Sequence, residues 1–308
     1  MITRRESLKL LGAATGLGML PLNSCSGESR NQGAHFSYCL NTSTIRGQNL
    51  GLVKTIEVAA EAGYDSLELW VRDIRAYLNQ GNTLPELRNI MQSNSLVVEN
   101  AIAFPTWMVD DPEQRERAFI EMEKDMDLLA MLECNRIAAP PAGVREEVNC
   151  LVVGERYRRL IDLGRKTGVM PHLEFWGGSR SLYNMGQSLY IAAAADDPDV
   201  HILPDVYHLF RGGSGFNSLK FLSGNLVEIF HMNDYPGDIP REEQNDSHRV
   251  YPGDGVSPME DIILSLDQMG GTKILSLELF NPEYWTHDAY EVASTGLQRM
   301  KNLVNSVL

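Results

Sequence analysis

Phe36-Ser37-Tyr38-Cys39-Leu40-Asn41-Thr42-Ser43-Thr44 decides between the two large parallel α/β architectures. Phe36–Leu40 has the length and apolar character of a buried strand. A polar turn comes directly after it, without the Gly-x-Gly-x-x-Gly fingerprint that a doubly wound dinucleotide sheet places behind its first strand. Further runs of the same kind lie at Ser66–Val71, Leu96–Ala103, Arg136–Ala139, Met170–Phe175, Val200–Val206, Leu226–Met232 and Ile274–Leu279. Amphipathic helical patterns separate them, among them Leu50–Ala62, Gln114–Leu132, Glu146–Thr167, Pro258–Met269 and Asp288–Val307. Gly63, Gly168 and Gly270 stand where a left-handed residue ends a helix. Strands recur roughly every 30 residues with no linker between them, the rhythm of a single (β/α)8 TIM barrel over residues 34–308.

Composition narrows the function. With 27 Lys and Arg against 41 Asp and Glu, the net charge of −14 repels a polyanion, which argues against nucleic acid as a partner. At 43% hydrophobic and 22% charged residues the chain has the makings of a folded globular core. Cys25, Cys39, Cys134 and Cys150 form no Cys-x-x-Cys pair, so neither a zinc ribbon nor a disulfide scaffold is indicated.

The first 33 residues read as an export signal and tether. Thr3-Arg4-Arg5-Glu6-Ser7-Leu8-Lys9 resembles a twin-arginine motif and precedes an apolar run, Leu10–Leu20, too short to stay as a transmembrane helix. Leu22-Asn23-Ser24-Cys25 resembles a lipobox, in which Cys25 would be acylated. The expectation is an exported, periplasmic protein, with a lipid anchor at Cys25 if the lipobox is used.

In a barrel the chemistry lies at the C-terminal ends of the strands. The last four strands read His172-Leu173-Glu174-Phe175-Trp176, Leu203-Pro204-Asp205-Val206-Tyr207-His208, Ile229-Phe230-His231-Met232-Asn233-Asp234 and Ser276-Leu277-Glu278-Leu279-Phe280. A lone acid in such an apolar strand points either at the helical layer, unpaired, or into the barrel mouth, and the mouth is the less costly direction. Glu174, Asp205, His231 and Glu278 would then converge, and three crowded carboxylates call for a cation. Three oxygens and one imidazole suit Mn²⁺, Mg²⁺ or Co²⁺ ahead of Zn²⁺.

From about His35 onward these residues resemble the xylose isomerase-like TIM barrels, specifically the sugar phosphate isomerase/epimerase group with its ketose 3-epimerases and inosose isomerases and dehydratases. The resemblance implies one divalent ion on Glu174, Asp205, His231 and Glu278. It implies substrate contacts from His208, three residues after Asp205, and from Arg249, ahead of Pro252-Gly253-Asp254-Gly255. Two departures set the free-ketose epimerases apart: Arg180 stands where they carry a second Glu, and Tyr235–Ser247 is inserted before Arg249.

A metal chelated by a carbonyl and its neighbouring hydroxyl acidifies the C–H between them, and Glu174 and Glu278 are placed to remove and return that proton. The resemblance gives these two glutamates the same acid–base role. Epimerisation, isomerisation, and elimination or hydration of keto sugars share this first step. The expected function is a sugar isomerase or epimerase, with lyase or hydratase chemistry second and an exported sugar-binding protein as the non-enzymatic alternative. Trp70, Phe104, Trp107, Trp176 and Trp285 are candidates for stacking on a sugar, or else plug the barrel mouth. Glu68 is an extra polar contact or a core ion pair. Asp234, Asp238, Asp246 and Glu242-Glu243 read as solvated loop charges.

Overall fold

A computed structural model describes residues 33–308. The leader, Cys25 and the tether up to residue 32 lie outside the described residues. Strands β1 (His35–Asn41), β2 (Ser66–Trp70), β3 (Val97–Ile102), β4 (Arg136–Ala139), β5 (Met170–Glu174), β6 (Ile202–Leu203), β7 (Ile229–Met232) and β8 (Thr272–Leu277) all pair in parallel. Helices α1 (Leu52–Ala62), α2 (Val71–Asn79), α3 (Leu84–Ser93), α4 (Pro112–Met131), α5 (Cys150–Thr167), α6 (Met185–Ala195), α7 (Val206–Arg211), α8 (Met259–Met269) and α9 (Ala289–Val307) alternate with them.

The ladder runs β3-β2-β1-β8-β7 in one sheet and β4-β5-β6 in the other. The two sheets meet at a parallel bridge between Asp205 and His231, where the His231 amide donates to the Pro204 carbonyl at 2.9 Å. Across the other seam, Arg136 of β4 reaches Glu99 of β3 at 2.6 Å. Strand order thus follows chain order around an eight-stranded TIM barrel. Alternation along the strands divides the apolar residues into two sets. The larger packs the strands against the helices, with Leu40, Leu67, Leu173, Phe230 and Leu275 among its fully buried members. The smaller, which includes Cys39, Ile102, Ala138, Leu203, Ile229 and Ile274, packs as a cluster of its own.

Every predicted strand forms, several of them shortened. Val200–Val206 keeps only Ile202–Leu203, because the Asp205 carboxylate accepts from the His208 amide at 2.7 Å and so caps α7. Likewise α5 starts at Cys150, four residues after the expected Glu146, because Asn149 caps it. Among the described residues no helix is long and apolar enough to cross a membrane.

Candidate metal and substrate site

Asp205, His231 and Glu278 come together at the C-terminal ends of β6, β7 and β8, all buried, each offering a ligand atom within 4.8 Å of the others. His231 Nδ1 lies 3.1 Å from Glu278 Oε2 and 3.7 Å from Asp205 Oδ2. It has no aligned hydrogen-bond partner. Its other nitrogen, Nε2, meets Glu68 at 3.0 Å. That pairing orients the ring so that Nδ1 faces the carboxylates, the arrangement in which an outer carboxylate steadies a ligating histidine. Glu174 of β5 stands outside this tight group, although it is buried and coupled by charge to both His231 and Glu278. Its Oε1 accepts from Trp176 Nε1 at 3.0 Å, and its Oε2 is buried without a partner. Two carboxylate oxygens, an imidazole nitrogen and a nearby free carboxyl oxygen fit a divalent cation.

Arg249 supplies countercharge from within the protein. Fully buried, it sends Nη1 to both Asp205 Oδ2 at 2.9 Å and Glu278 Oε2 at 2.8 Å, and Nη2 to Asp246 at 2.6 Å. The loop that carries it is held down by Asp234, whose carboxylate accepts from the amides of Gly253, Gly255 and Ser257 at 3.1, 3.2 and 3.0 Å. Gly253 has a φ of +87°, where a side chain is strained, and a Cβ on Gly255 would collide with the Tyr235 carbonyl oxygen. Asp234 is therefore buried and not the solvated charge its loop suggests, whereas Asp246 is exposed but ion-paired. One organises the turn, and the other pairs with Arg249.

Electrostatics separates the two glutamates expected to handle protons. Burial pushes the Glu174 carboxyl up to about 8, against the His231 charge and with help from Glu278. Burial also acts to raise Glu278, but His231 and Arg249 outweigh it and hold that carboxylate below its usual range. Glu68 is held low in the same way: burial is outweighed by His231 and by hydrogen bonds from Ser276 and Asn100. His231 in turn is raised far above an ordinary imidazole, the cost of burial being overcome by Glu278 and Glu68. Without a bound metal, the two carboxylates thus sit in opposing environments within one cavity.

The cavity has a volume of about 570 Å³, within the range of small-molecule sites. Glu174, His208, Arg249 and Glu278 line it, with Trp70, Phe104, Trp176 and Phe280 as aromatic walls. Phe104 bridges the two indoles, with its centroid 5.2 Å from that of Trp70 and 6.0 Å from that of Trp176. His208 is fixed on two sides, by the Gly177 amide at Nδ1 (3.1 Å) and Arg249 Nη2 at Nε2 (3.1 Å). A neutral imidazole has a single acceptor nitrogen, so only one of these contacts is a hydrogen bond at a time.

Three expected substrate contacts lie elsewhere. Trp107 is a core residue, fully buried, with its indole N–H on the Pro140 carbonyl at 3.0 Å and its ring against Tyr157. That carbonyl satisfies the one polar group that would have favoured the mouth. Glu68 is saturated by Asn41 (2.7 Å), Asn100 (2.6 Å), Ser276 (2.7 Å) and His231, so the core ion pair is the reading that holds. Trp285 is also absent from the cavity lining, donating to the Ser43 carbonyl at 3.3 Å.

Several site residues carry no signal in a strand-by-strand reading. Asn41 Nδ2 reaches both Glu68 and Glu278 (3.0 Å), while its Oδ1 accepts from Trp70 Nε1 at 2.9 Å. Asn233 donates to Asp205 Oδ2 at 2.8 Å and accepts from the Tyr207 amide. The Arg46 guanidinium sits 3.8 Å above the Trp70 ring, where burial and Arg72 lower its pKa to about 10. Only their position beside strand ends could have marked the two asparagines.

Fold and site together define a barrel with a buried carboxylate–imidazole cluster at its strand ends. Residues 56–303 match the xylose isomerase-like TIM barrel family, and the chain belongs to it. It is similar to the inosose isomerase of Halalkalibacterium halodurans, 27% identical over 267 residues that span 83% of this chain and 92% of the relative. The inosose isomerase of Bacillus subtilis is 26% identical over 275 residues, 87% of this chain and 97% of that one. Among solved structures, a zinc-bound IolI protein superposes with a TM-score of 0.80 at 23% identity, covering 88% of this chain and 99% of its own. The D-psicose 3-epimerase of Clostridium cellulolyticum H10 with D-tagatose superposes with a TM-score of 0.70 at 15% identity, covering 87% and 99%.

Proposed function

We propose that the protein is a divalent-metal-dependent sugar isomerase or epimerase that works by α-proton abstraction. The inosose isomerase relatives support the coarse class and make a cyclitol ketone the first substrate to try. The observation that carries the reading is the placement of Glu174 and Glu278 in one aromatic-walled cavity, beside the buried cluster of Asp205, His231 and Glu278. A divalent ion on Asp205, His231 and Glu278, with Glu174 beside them, would supply positive charge to the enediolate that forms when the α-proton leaves. The oxygen-rich donor set favours Mn²⁺, Mg²⁺ or Co²⁺ over Zn²⁺.

The chain's own residues do the rest. Glu278 and Glu174 act from opposite sides of the α-carbon, one taking the proton and the other returning one. Trp176 keeps Glu174 Oε1 engaged, which leaves Oε2 toward the substrate. His208 and Arg249 position the sugar's hydroxyls, while Trp70, Phe104 and Trp176 stack on its apolar face and exclude water. The proposal includes the leader: the twin-arginine-like segment addresses the chain for export, with a lipid anchor at Cys25 if the lipobox is used.

The test is a panel of inososes, ketoses and 3-keto sugars incubated with Mn²⁺-loaded protein in D₂O and followed by proton NMR. Solvent deuterium should appear at the carbon next to a carbonyl in at least one of them. Lyase chemistry would show as exchange with loss of water, and binding without exchange would return the protein to the sugar-binding alternative.

A further inference from the structure

The opposite end of the barrel holds a second group of potential ligands. His172 stands two residues before Glu174 on β5, His201 immediately precedes β6, and Glu228 immediately precedes β7. Period-two alternation puts His172 on the same face of β5 as Glu174, but nearer the N-terminal end of the strand. One ligand atom from each of the three lies within 4.8 Å of the others. The imidazoles of His172 and His201 stack in parallel, 4.6 Å between centroids and 6° apart, and His172 Nε2 is 3.9 Å from Glu228 Oε2.

His172 is 0% exposed, and neither of its ring nitrogens has a hydrogen-bond partner; His201 Nδ1 is also buried without one. Buried polar atoms are nearly always satisfied, so three unmatched nitrogens on two stacked rings beside a carboxylate call for an occupant. Glu228 is held in place by Arg136, whose Nε donates to Oε2 at 2.7 Å and whose Nη1 braces Glu99. It also lines a surface cleft of about 550 Å³ together with Glu99, Arg136 and Gly271.

We propose that His172, His201 and Glu228 form a second metal site, for a borderline-soft divalent ion such as Zn²⁺, Co²⁺ or Ni²⁺, one imidazole turning out of the stack on binding so that both in-plane lone pairs meet at the ion. Two imidazoles and one carboxylate are a common ligand set for such ions and a poor one for Mg²⁺ or Ca²⁺, which need more oxygens. The site is separate from the cavity: it has no residue in common with the sugar site, and none of its three ligands lines that cavity. Its role is to tie the starts of β5, β6 and β7 together at the base of the barrel, so its loss lowers stability without touching proton transfer.

The metal-stripped full-length protein is titrated with Co²⁺, reading bound equivalents and the visible ligand-field band, alongside Asp205→Asn, His201→Gln and Glu228→Gln. An equivalent that survives Asp205→Asn and disappears in both His201→Gln and Glu228→Gln establishes the site. Thermal melting should then rise with Co²⁺ in Asp205→Asn and fail to do so when either second-site substitution is added to it. If every equivalent is lost in Asp205→Asn, or if the surviving one persists in both His201→Gln and Glu228→Gln, the proposal is overturned, whatever the fate of the sugar site.

Discussion

Replacing Arg249 with Met removes the guanidinium that bridges Asp205 and Glu278 while keeping much of its volume. In the metal-free protein, two buried carboxylates then lose contacts of 2.9 and 2.8 Å to a positive charge. Breaking a buried pair from one side costs about 3–5 kcal/mol, because the other charge stays buried and uncompensated. For a chain of this size about 2 °C of melting temperature corresponds to each kcal/mol, so the fall should be roughly 6–10 °C. Divalent metal should reverse the outcome. An ion bound only to the native state adds about 2.7 kcal/mol at a hundred times its dissociation constant. Without the competing guanidinium, Arg249→Met should also bind it more tightly than wild type does. The assay is calorimetric or circular-dichroism melting in chelator and in graded Mn²⁺, with both proteins side by side. A variant that melts within about 2 °C of wild type in chelator, or gains no more from Mn²⁺ than wild type, would refute the countercharge role.

The same geometry sets other measurable outcomes. A carboxyl whose folded pKa is raised keeps a proton that the unfolded chain has released, so metal-free wild type should lose stability as pH rises from about 4.5 through about 8. The loss should approach ~1.4 kcal/mol per pH unit, and Glu174→Gln should flatten it; parallel stability curves for the two proteins in chelator would contradict this. Truncating His208 to Ala should raise KM several-fold while α-proton exchange at saturating sugar persists, as steady-state kinetics and NMR can check. Changing Arg4 and Arg5 together to Lys should leave the protein in the cytoplasm with its catalysis intact, and Cys25→Ala should release it from membranes, both read by cell fractionation.

The strand rhythm was legible because short apolar runs between amphipathic helices have few alternative packings, and each of the eight runs became a strand. What periodicity could not show is where a strand ends when its last polar residue turns back to cap a helix, as Asp205 does at α7. The four ligand candidates were readable from lone polar residues in apolar strands, and three of them form the tight cluster. Glu174 stands slightly apart, with one of its oxygens held by Trp176 two residues on. Glu68 and Trp107 share the local pattern of cavity residues, and what sets them apart is long-range: Asn100 and Ser276 in one case, the Pro140 carbonyl in the other. Asp234 looked like a solvated charge because its partners are backbone amides about 20 residues later, which no side-chain pattern reveals.

The most direct test of the central claim is solvent deuterium exchange into an accepted keto sugar by Mn²⁺-loaded Glu174→Gln and Glu278→Gln, with metal content measured on the same samples. Gln keeps size and one oxygen ligand but cannot accept the proton, so exchange should fall by roughly 10²–10⁴ in each variant while metal is retained. Wild-type exchange rates in both variants, with metal still bound, would contradict the acid–base pair on which the account rests.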